Sequence, residues 1–570
     1  ESLRRHVRAN MAVRLWLCTA LVFELHALVV QHVPTARLPT LSTRRSLALP
    51  SATATDAGQA TDAGQATPRT AAVVGAGPAG ALTAIMLAQR GWRVNLYDAL
   101  PPPPAASDAA WGAGERSYQL GLNGRGQKAL REFGCMERVD RFAASVNGRL
   151  SFAVDTSAGA PAFSETRLKP PGTPGAEKSY VTRVMQRDRL QAVLLEEAAE
   201  RYGGAIRVTH GVACVGVRME GARPALELRA CEPVGNPRPD GAAAGGEMGV
   251  DGCEVQAEAG LDLGPTEYDL VVGADGVQSR VREALCLAPG SATRVERFVD
   301  TNERQYKTIP FHPSAVAGTP SDLNWGYQNK SLGLGMDALP TKEGEMVGVL
   351  LFKPGSKVYE TVNALQDGNA AARFFAEAMP PLVPYLRAEE LQRFVRRPIS
   401  RLPRFQLVEG PLHRSLPKGA VLVLGDAIKA VKPYFGQGAN SALEDVAVLS
   451  RCLEQAAGEP AAAAAAFTAA RAEDARALVR ISRSFDGAGR LGTARFVLPL
   501  LLDIQLNKLL PRLFSPPTLR ALQDERNSFA ALARKKRYER LALAALVAAA
   551  AALLRVTLAC LGAWRRTMLA

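Results

Sequence analysis

The stretch Ala71-Ala72-Val73-Val74-Gly75-Ala76-Gly77-Pro78-Ala79-Gly80-Ala81 decides the fold. Its first four apolar residues read as a short buried strand, and Gly75 to Gly80 follows as Gly-x-Gly-x-x-Gly. Ala81 to Gln89 then continues as a helix former carrying Leu82, Ile85, Met86 and Leu87. Val94 to Tyr97 reads as a second strand, closed by Asp98. Each glycine answers a physical need. Gly75 permits the tight turn, Gly77 lets the backbone approach a pyrophosphate, and Gly80 lets helix and strand pack closely. The helix start offers free N–H groups to the phosphates, and Asp98 is placed to accept from ribose hydroxyls. The pattern specifies a dinucleotide without choosing between FAD and NAD.

Two later stretches narrow the choice. Tyr268-Asp269-Leu270-Val271-Val272-Gly273-Ala274-Asp275-Gly276 is an apolar strand ending in an Asp-Gly turn, followed by Ser279 and Arg282. Val421-Leu422-Val423-Leu424-Gly425-Asp426-Ala427 is another, running into Pro433-Tyr434-Phe435-Gly436-Gln437-Gly438-Ala439-Asn440 and then Glu444-Asp445 on a helix. Gly436 and Gly438 bring backbone close to a ligand, and the following helix start suits an electron-rich group. A carboxylate at the strand-to-turn position of Asp426 can accept from the ribityl chain of FAD.

With these three landmarks in order, the sequence resembles the FAD-dependent aromatic hydroxylases (flavoprotein monooxygenases), and among them the kynurenine 3-monooxygenase family most. The resemblance runs from about Val73 to about Leu519. It takes in Gly114-Glu115-Arg116-Ser117-Tyr118-Gln119-Leu120, Gly124-Arg125-Gly126, Arg187-Asp188-Arg189-Leu190, Ala338-Leu339-Pro340 and Leu351-Phe352-Lys353-Pro354. It implies an α/β fold: a Rossmann-type FAD-binding domain interleaved with a mixed β-sheet substrate domain, plus a C-terminal helical region. It also implies FAD as cofactor, NADPH or NADH as transient co-substrate, and transfer of oxygen from O₂. By the same resemblance Arg187 lies against the flavin, Asp426 on the ribityl, and Gly438, Ala439 and Asn440 near the isoalloxazine. Arg187 as a surface helix cation and Asn440 as a helix N-cap are the alternative readings.

At the substrate the chain departs from the family. The arginine that holds the carboxylate of kynurenine falls on Arg149, which otherwise reads as a surface strand cation. The family's tyrosine falls on Phe163, which has no hydroxyl; a lost donor in a buried polar site costs about 1–3 kcal/mol. The family's Gly-Asp-Ala-Ala-His reads here as Gly425-Asp426-Ala427-Ile428-Lys429, and Lys432 adds a second cation. Tyr434, Phe435 and Gln437 are candidates to line the substrate cavity, with packing as the other use of such aromatics.

The formal charge of +14 would suggest nucleic acid, but it is concentrated at the ends. Residues 1–55 are net +5 and residues 531–570 net +7, leaving +2 for the body between them. Residues 1–69 read as targeting sequence and linker. The apolar run Leu15–Val30 is followed by an acid-poor Ser/Thr/Arg stretch and the twice-occurring Ala-Thr-Asp-Ala-Gly-Gln. That pattern fits a signal joined to a plastid transit peptide; a single anchor helix, or a mitochondrial membrane address, is the other reading. Residues 70–530 form the monooxygenase fold, with 101–114 and 219–260 as surface insertions. Residues 531–570 are a hydrophobic tail with basic flanks, Arg534-Lys535-Lys536-Arg537 and Arg565-Arg566, and are either a membrane anchor or a packed helix. The 8 cysteines show no metal or redox spacing, and no metal site is expected. Three functions follow: an NAD(P)H- and O₂-dependent monooxygenase of an aromatic or amphipathic small molecule, a membrane-associated FAD epoxidase or reductase of isoprenoids, or a flavin-binding protein without hydroxylase turnover.

Overall fold

Thr70–Val74, Leu270–Gly273 and Gly419–Val423 are almost wholly buried apolar strands, as expected for parallel strands covered on both faces. They lie side by side in a six-stranded sheet whose order is His413–Leu416, Gly419–Val423, Leu270–Gly273, Thr70–Val74, Arg93–Asp98, Ile206–His210. All neighbours run parallel except the first pair. Val74 pairs with Gly273 and Gly273 with Val423, so three C-terminal strand ends finish level with one another. The computed structural model describes residues 68–569 apart from 110, 112–118, 155–160, 175, 177, 179, 234–252, 256–265 and 488. The targeting segment and the family-like block from Gly114 to Tyr118 therefore lie outside the described residues.

A second, seven-stranded sheet is mixed: Ser400–Arg401, Gln305–Phe311, Met346–Phe352, Leu334–Pro340, Asn324–Asn329, Gly148–Val154, Pro161–Arg167. Gly148–Val154 runs parallel to Asn324–Asn329, and the other neighbours are antiparallel. Alternation places Trp325, Tyr327, Met336, Leu350 and Phe352 in a core with Phe374, Phe375 and Phe394. Arg149, Asn324, Gly326 and Asp337 stand at register positions on the opposite face. The chain visits this sheet, returns to the nucleotide sheet, and repeats the excursion, which is the interleaved architecture expected from the sequence.

Both segments read as surface insertions are in part built into the fold. Ala225–Pro233 is a strand paired with Val212–Arg218 and Cys253–Val255, because its alternating apolar residues have a partner strand beside them. Trp111 is buried, donating to the Ala105 carbonyl at 2.7 Å and accepting on its own carbonyl from Gln186 Nε2 at 2.7 Å. Helices Pro460–Ser484, Gly489–Leu509 and Thr518–Leu522 follow the second nucleotide half, and Phe529–Leu569 ends the chain. The contacts divide the chain into one unit of Thr67–Lys535 and another that includes Lys536–Ala570. Among the described residues, Phe529–Met568 is the one helix long and apolar enough to cross a membrane, and no residue of its most apolar window is buried.

Candidate flavin site

The level strand ends bring three loops together. A Cβ on Gly75 (φ +95°) would lie 2.6 Å from the Ala274 carbonyl oxygen, which seats the first loop against Ala274-Asp275. A Cβ on Gly80 would lie 1.8 Å from the Gly75 oxygen, so the turn and its helix Pro78–Gln89 touch backbone to backbone. A Cβ on Gly425 would meet Ala79 Cβ at 3.7 Å, placing the third loop beside the same helix. Gly77, by contrast, faces no protein atom within 4 Å, and neither does Gly276. The cradle is therefore tight where backbone packs and open where a pyrophosphate would lie. Asp98 accepts from the Ala76 amide at 2.6 Å through Oδ2 and from the Leu100 amide at 2.8 Å through Oδ1. It braces the glycine turn from within.

Two carboxylates at the strand ends keep unmet capacity. Asp275 Oδ2 accepts from the Arg280 and Val281 amides at 2.7 and 3.2 Å, whereas the buried Oδ1 has no partner. Asp426 is part-exposed and makes no hydrogen bond among the described residues. Burial pushes both carboxyls up; at Asp426 the charges of Lys429 and Arg187 act against that push. Arg187 is the exposed first residue of helix Arg187–Tyr202, its Nε 2.9 Å from Asp188 Oδ1, and its field reaches Asp426. Unpaired acceptors beside an open glycine cradle are the donor–acceptor complement of a hydroxyl-rich dinucleotide, so the residues present fit FAD.

The segment Pro433–Phe435 is one helical turn, ended by Gly436 at φ +60°, and helix Gly438–Gln455 starts just beyond. Ala439 lies in that helix's first turn, half-buried. A Cβ on Gly438 would meet only Val431 Cγ2 at 4.0 Å, leaving room for a ligand at the helix start. Asn440 is buried inside the first turn rather than capping it. Its Oδ1 accepts from the Asn123 amide at 2.8 Å, and its Nδ2 donates to the carbonyls of Gly121 and Gly436 at 2.7 and 2.6 Å. Gln437 is likewise buried and bonded to Asn123 and the Leu522 carbonyl, so it packs behind the loop. Tyr434 donates to Asp486 at 2.8 Å, and Phe435 meets Phe485 edge-on at 4.6 Å.

Arg149 is separate from these loops. It lies exposed on the seven-stranded sheet, over Gly326, paired with Asp337 at 2.7 Å and reaching Ser151 at 3.3 Å. Position 163 stands in register with Phe152, three residues out of phase with Thr166, the partner of Arg149; its side chain lies outside the described residues.

Sequence reasoning missed the buried ionic frame behind the site. Lys429 Nζ donates to Asp445 Oδ2 at 2.7 Å, Arg471 Nε to Asp445 Oδ1 at 2.6 Å, and the Gly425 amide to Oδ2 at 2.9 Å. Burial alone would raise Asp445, but Arg471 and Lys429 outweigh it and hold the carboxyl below its ordinary range. Arg471 also holds Asp474 at 2.7 Å, and Arg125 holds Glu444 at 2.7 Å while lying over the Phe529 ring. The signal available was two unexpected lysines, Lys429 and Lys432, in an otherwise apolar stretch where a buried cation requires an acid partner. No group of His, Cys, Asp and Glu able to hold a metal occurs among the described residues.

Comparison with known proteins agrees with this geometry. The family profile described as "FAD binding domain" matches residues 265–482. The chain has the fold of 2-methyl-3-hydroxypyridine-5-carboxylic acid oxygenase (TM-score 0.52, 19% identity, 76% of this chain and 96% of that one). It also has the fold of P. aeruginosa PqsL in complex with 2-aminobenzoylacetate (TM-score 0.50, 18% identity, 75% and 98%). With the open cradle and its acceptors, the chain is an FAD-dependent oxidoreductase that is similar to the FAD-dependent aromatic hydroxylases. Within that class it is similar to the kynurenine 3-monooxygenase of Salinispora arenicola (29% identity over 501 residues, 85% of this chain and 96% of that protein). It is similar as well to that of Stenotrophomonas maltophilia (27% over 453 residues, 79% and 86%).

Proposed function

We propose that the protein is an NAD(P)H- and O₂-dependent monooxygenase that hydroxylates an aromatic or amphipathic small molecule while held at a membrane. The observation that carries this reading is the convergence of Gly77, Asp275 and Asp426 at three level strand ends, with acceptors left unmet. Gly75, Gly77 and Gly80 would hold the pyrophosphate, Asp98 the ribose side, Asp275 and Gly276 the neighbouring turn, and Asp426 with Arg187 the ribityl chain. Gly436, Gly438, Ala439 and Asn440 would seat the ring. When bound, FAD supplies the electron transfer and oxygen activation that side chains cannot. The chain's own part is to orient the substrate, keep water out, and offer helix-start N–H groups where negative charge develops.

The chain's affinity to kynurenine 3-monooxygenases supports an aromatic amino acid or a related acid as substrate. Arg149 bears on this, since Asp337 already occupies its guanidinium; a substrate carboxylate would have to displace that acid. A lipophilic, isoprenoid-like substrate is the second reading. It is favoured by the exposed Leu498, Leu501, Leu502 and Leu509 on helix Gly489–Leu509 and by the exposed apolar C-terminal helix. The basic, acid-poor N-terminus supports an organellar, plastid address.

A substrate screen on the purified flavoprotein, reading the rate of flavin reduction by NADPH and by NADH, tests the proposal. Acceleration by kynurenine or another aromatic acid supports the first reading, and acceleration only by isoprenoids supports the second. If no candidate accelerates reduction, the protein binds flavin without hydroxylase turnover.

A further inference from the structure

Lys432 immediately precedes the loop Pro433–Gly438, and its side chain is fully buried. Its ammonium donates to Asp300 Oδ1 at 2.8 Å, to the Asn302 carbonyl at 3.0 Å and to Asp486 Oδ2 at 2.7 Å, using all three of its N–H bonds. The other oxygen of Asp486 accepts from Tyr434 at 2.8 Å and from Asn302 Nδ2 at 3.4 Å. Phe405 lies 5.6 Å from the ammonium on its ring face. The same loop is held again by Gln523, whose Nε2 donates to the Phe435 carbonyl at 3.1 Å. One lysine therefore joins three distant segments: 300–302 before strand Gln305–Phe311, the loop itself, and the joint at Asp486 between helices Pro460–Ser484 and Gly489–Leu509.

Stability alone is a poor account of this cluster. Desolvation of buried ions offsets much of their attraction, and apolar replacements of buried ion sets are often neutral or stabilising. What a fully satisfied buried network supplies is one permitted arrangement, because every alternative leaves a charge without a partner. The backbone it fixes is the segment on which the flavin ring would rest. We propose that Lys432 is a positioning residue for the flavin ring. It sets the place of Pro433–Gly438 and ties that place to the C-terminal helical joint through Asp486. The inference rests on the flavin reading above and adds to it a residue that touches neither cofactor nor substrate.

The test compares the full chain with Lys432→Met, Lys432→Arg and the milder Asp300→Asn and Asp486→Asn. The glycine cradle and Asp426 are untouched, so each variant should retain FAD at the wild-type ratio. The oxidised flavin bands should shift. Flavin reduction should slow several-fold at unchanged KM for the nicotinamide, and the share of NAD(P)H oxidised to give hydrogen peroxide rather than product should rise several-fold. Lys432→Arg, which keeps the charge, should recover part of the wild-type spectrum. A purely structural lysine would lower Tm in all variants and leave the bands, the reduction rate and the coupling within about twofold of wild type; that result overturns the proposal. If Lys432→Met fails to fold, the two Asn variants carry the same test. A colourless wild type would overturn the flavin reading and this inference together, whereas a yellow wild type with spectrally unchanged variants overturns the inference alone.

Discussion

Gly77 and Gly80 are three residues apart, and substitution should separate cofactor binding from folding. A methyl at Gly80 lands on the Gly75 carbonyl at 1.8 Å, and backbone has to move; overpacking of this kind costs about 1–3 kcal/mol. A methyl at Gly77, whose φ is −58°, meets no protein atom. Gly80→Ala should therefore lower the Tm of the apoprotein, while Gly77→Ala should leave it unchanged and weaken FAD binding by flavin titration. Asp426→Ala should act in opposite directions on the two forms. Burial raises the folded pKa of this carboxyl above its unfolded value, so its contribution is full below the unfolded pKa and is lost as pH rises through the folded one. Above that range the Asp426 carboxylate disfavours the folded apoprotein relative to the unfolded chain. The variant should lose bound flavin yet unfold at the same or a higher temperature without it; normal flavin occupancy would count against the assigned role. The glycine spacing was legible in the sequence because its geometry is local. The unmet acceptors at Asp275 and Asp426 were not, since they depend on which groups the rest of the chain brings near.

Among elements, helix Gly438–Gln455 links most of the site, and its partners lie far off in sequence. Asn440 reaches back 317 residues to the Asn123 amide, and a Cβ on Gly126 would stand 2.4 Å from Asn440 Oδ1. The family-like Gly124-Arg125-Gly126 thus has a packing reason that sequence position alone could not reveal. The same helix carries Asp445, which accepts Lys429 where the family has histidine. Asp445 has a folded pKa below the unfolded one, so its pairing stabilises at pH values above the unfolded carboxylate pKa, about 4, and is lost as pH falls through the lower folded value. Removing one partner of a buried pair costs about 3–5 kcal/mol. Because Arg471 still holds Asp445, Lys429→Met should sit at the low end, about 3 kcal/mol at neutral pH. The deficit should shrink as the pH falls from about 4 through the lower folded value, where protonation removes the carboxylate charge that Lys429 pairs with. Urea unfolding of both proteins across that range gives the answer; a deficit independent of pH would mean that lost packing, not the ion pair, is responsible.

Across the whole molecule, what the sequence conveyed was the nucleotide half, because strand, glycine turn, helix and strand follow one another within 30 residues of Thr70. The seven-stranded sheet was expected only through resemblance: Gly148–Val154 finds its parallel partner at Asn324–Asn329, and no local pattern announces that pairing. The C-terminal helix poses a question of physics that experiment can settle. At 1.5 Å per residue the run from Leu541 to Trp564 extends about 36 Å, enough to cross a hydrocarbon core of about 30 Å. Arg555 opposes insertion by about 2.5–3.5 kcal/mol, while Leu546, Val547, Leu554 and Leu558 are exposed apolar side chains that insertion would bury. The basic flanks alone would give a peripheral attachment, which screening abolishes when the Debye length falls to about 3 Å at about 1 M salt. If apolar burial holds the chain, full-length protein should stay with vesicles of zwitterionic lipid through a wash of about 1 M salt. Arg555→Leu should then resist alkaline extraction better than wild type, and Val547→Arg, adding a second charge to the span, should shift the protein toward the soluble fraction. Release of the wild type by salt alone would show instead that charge, not the apolar run, makes the contact.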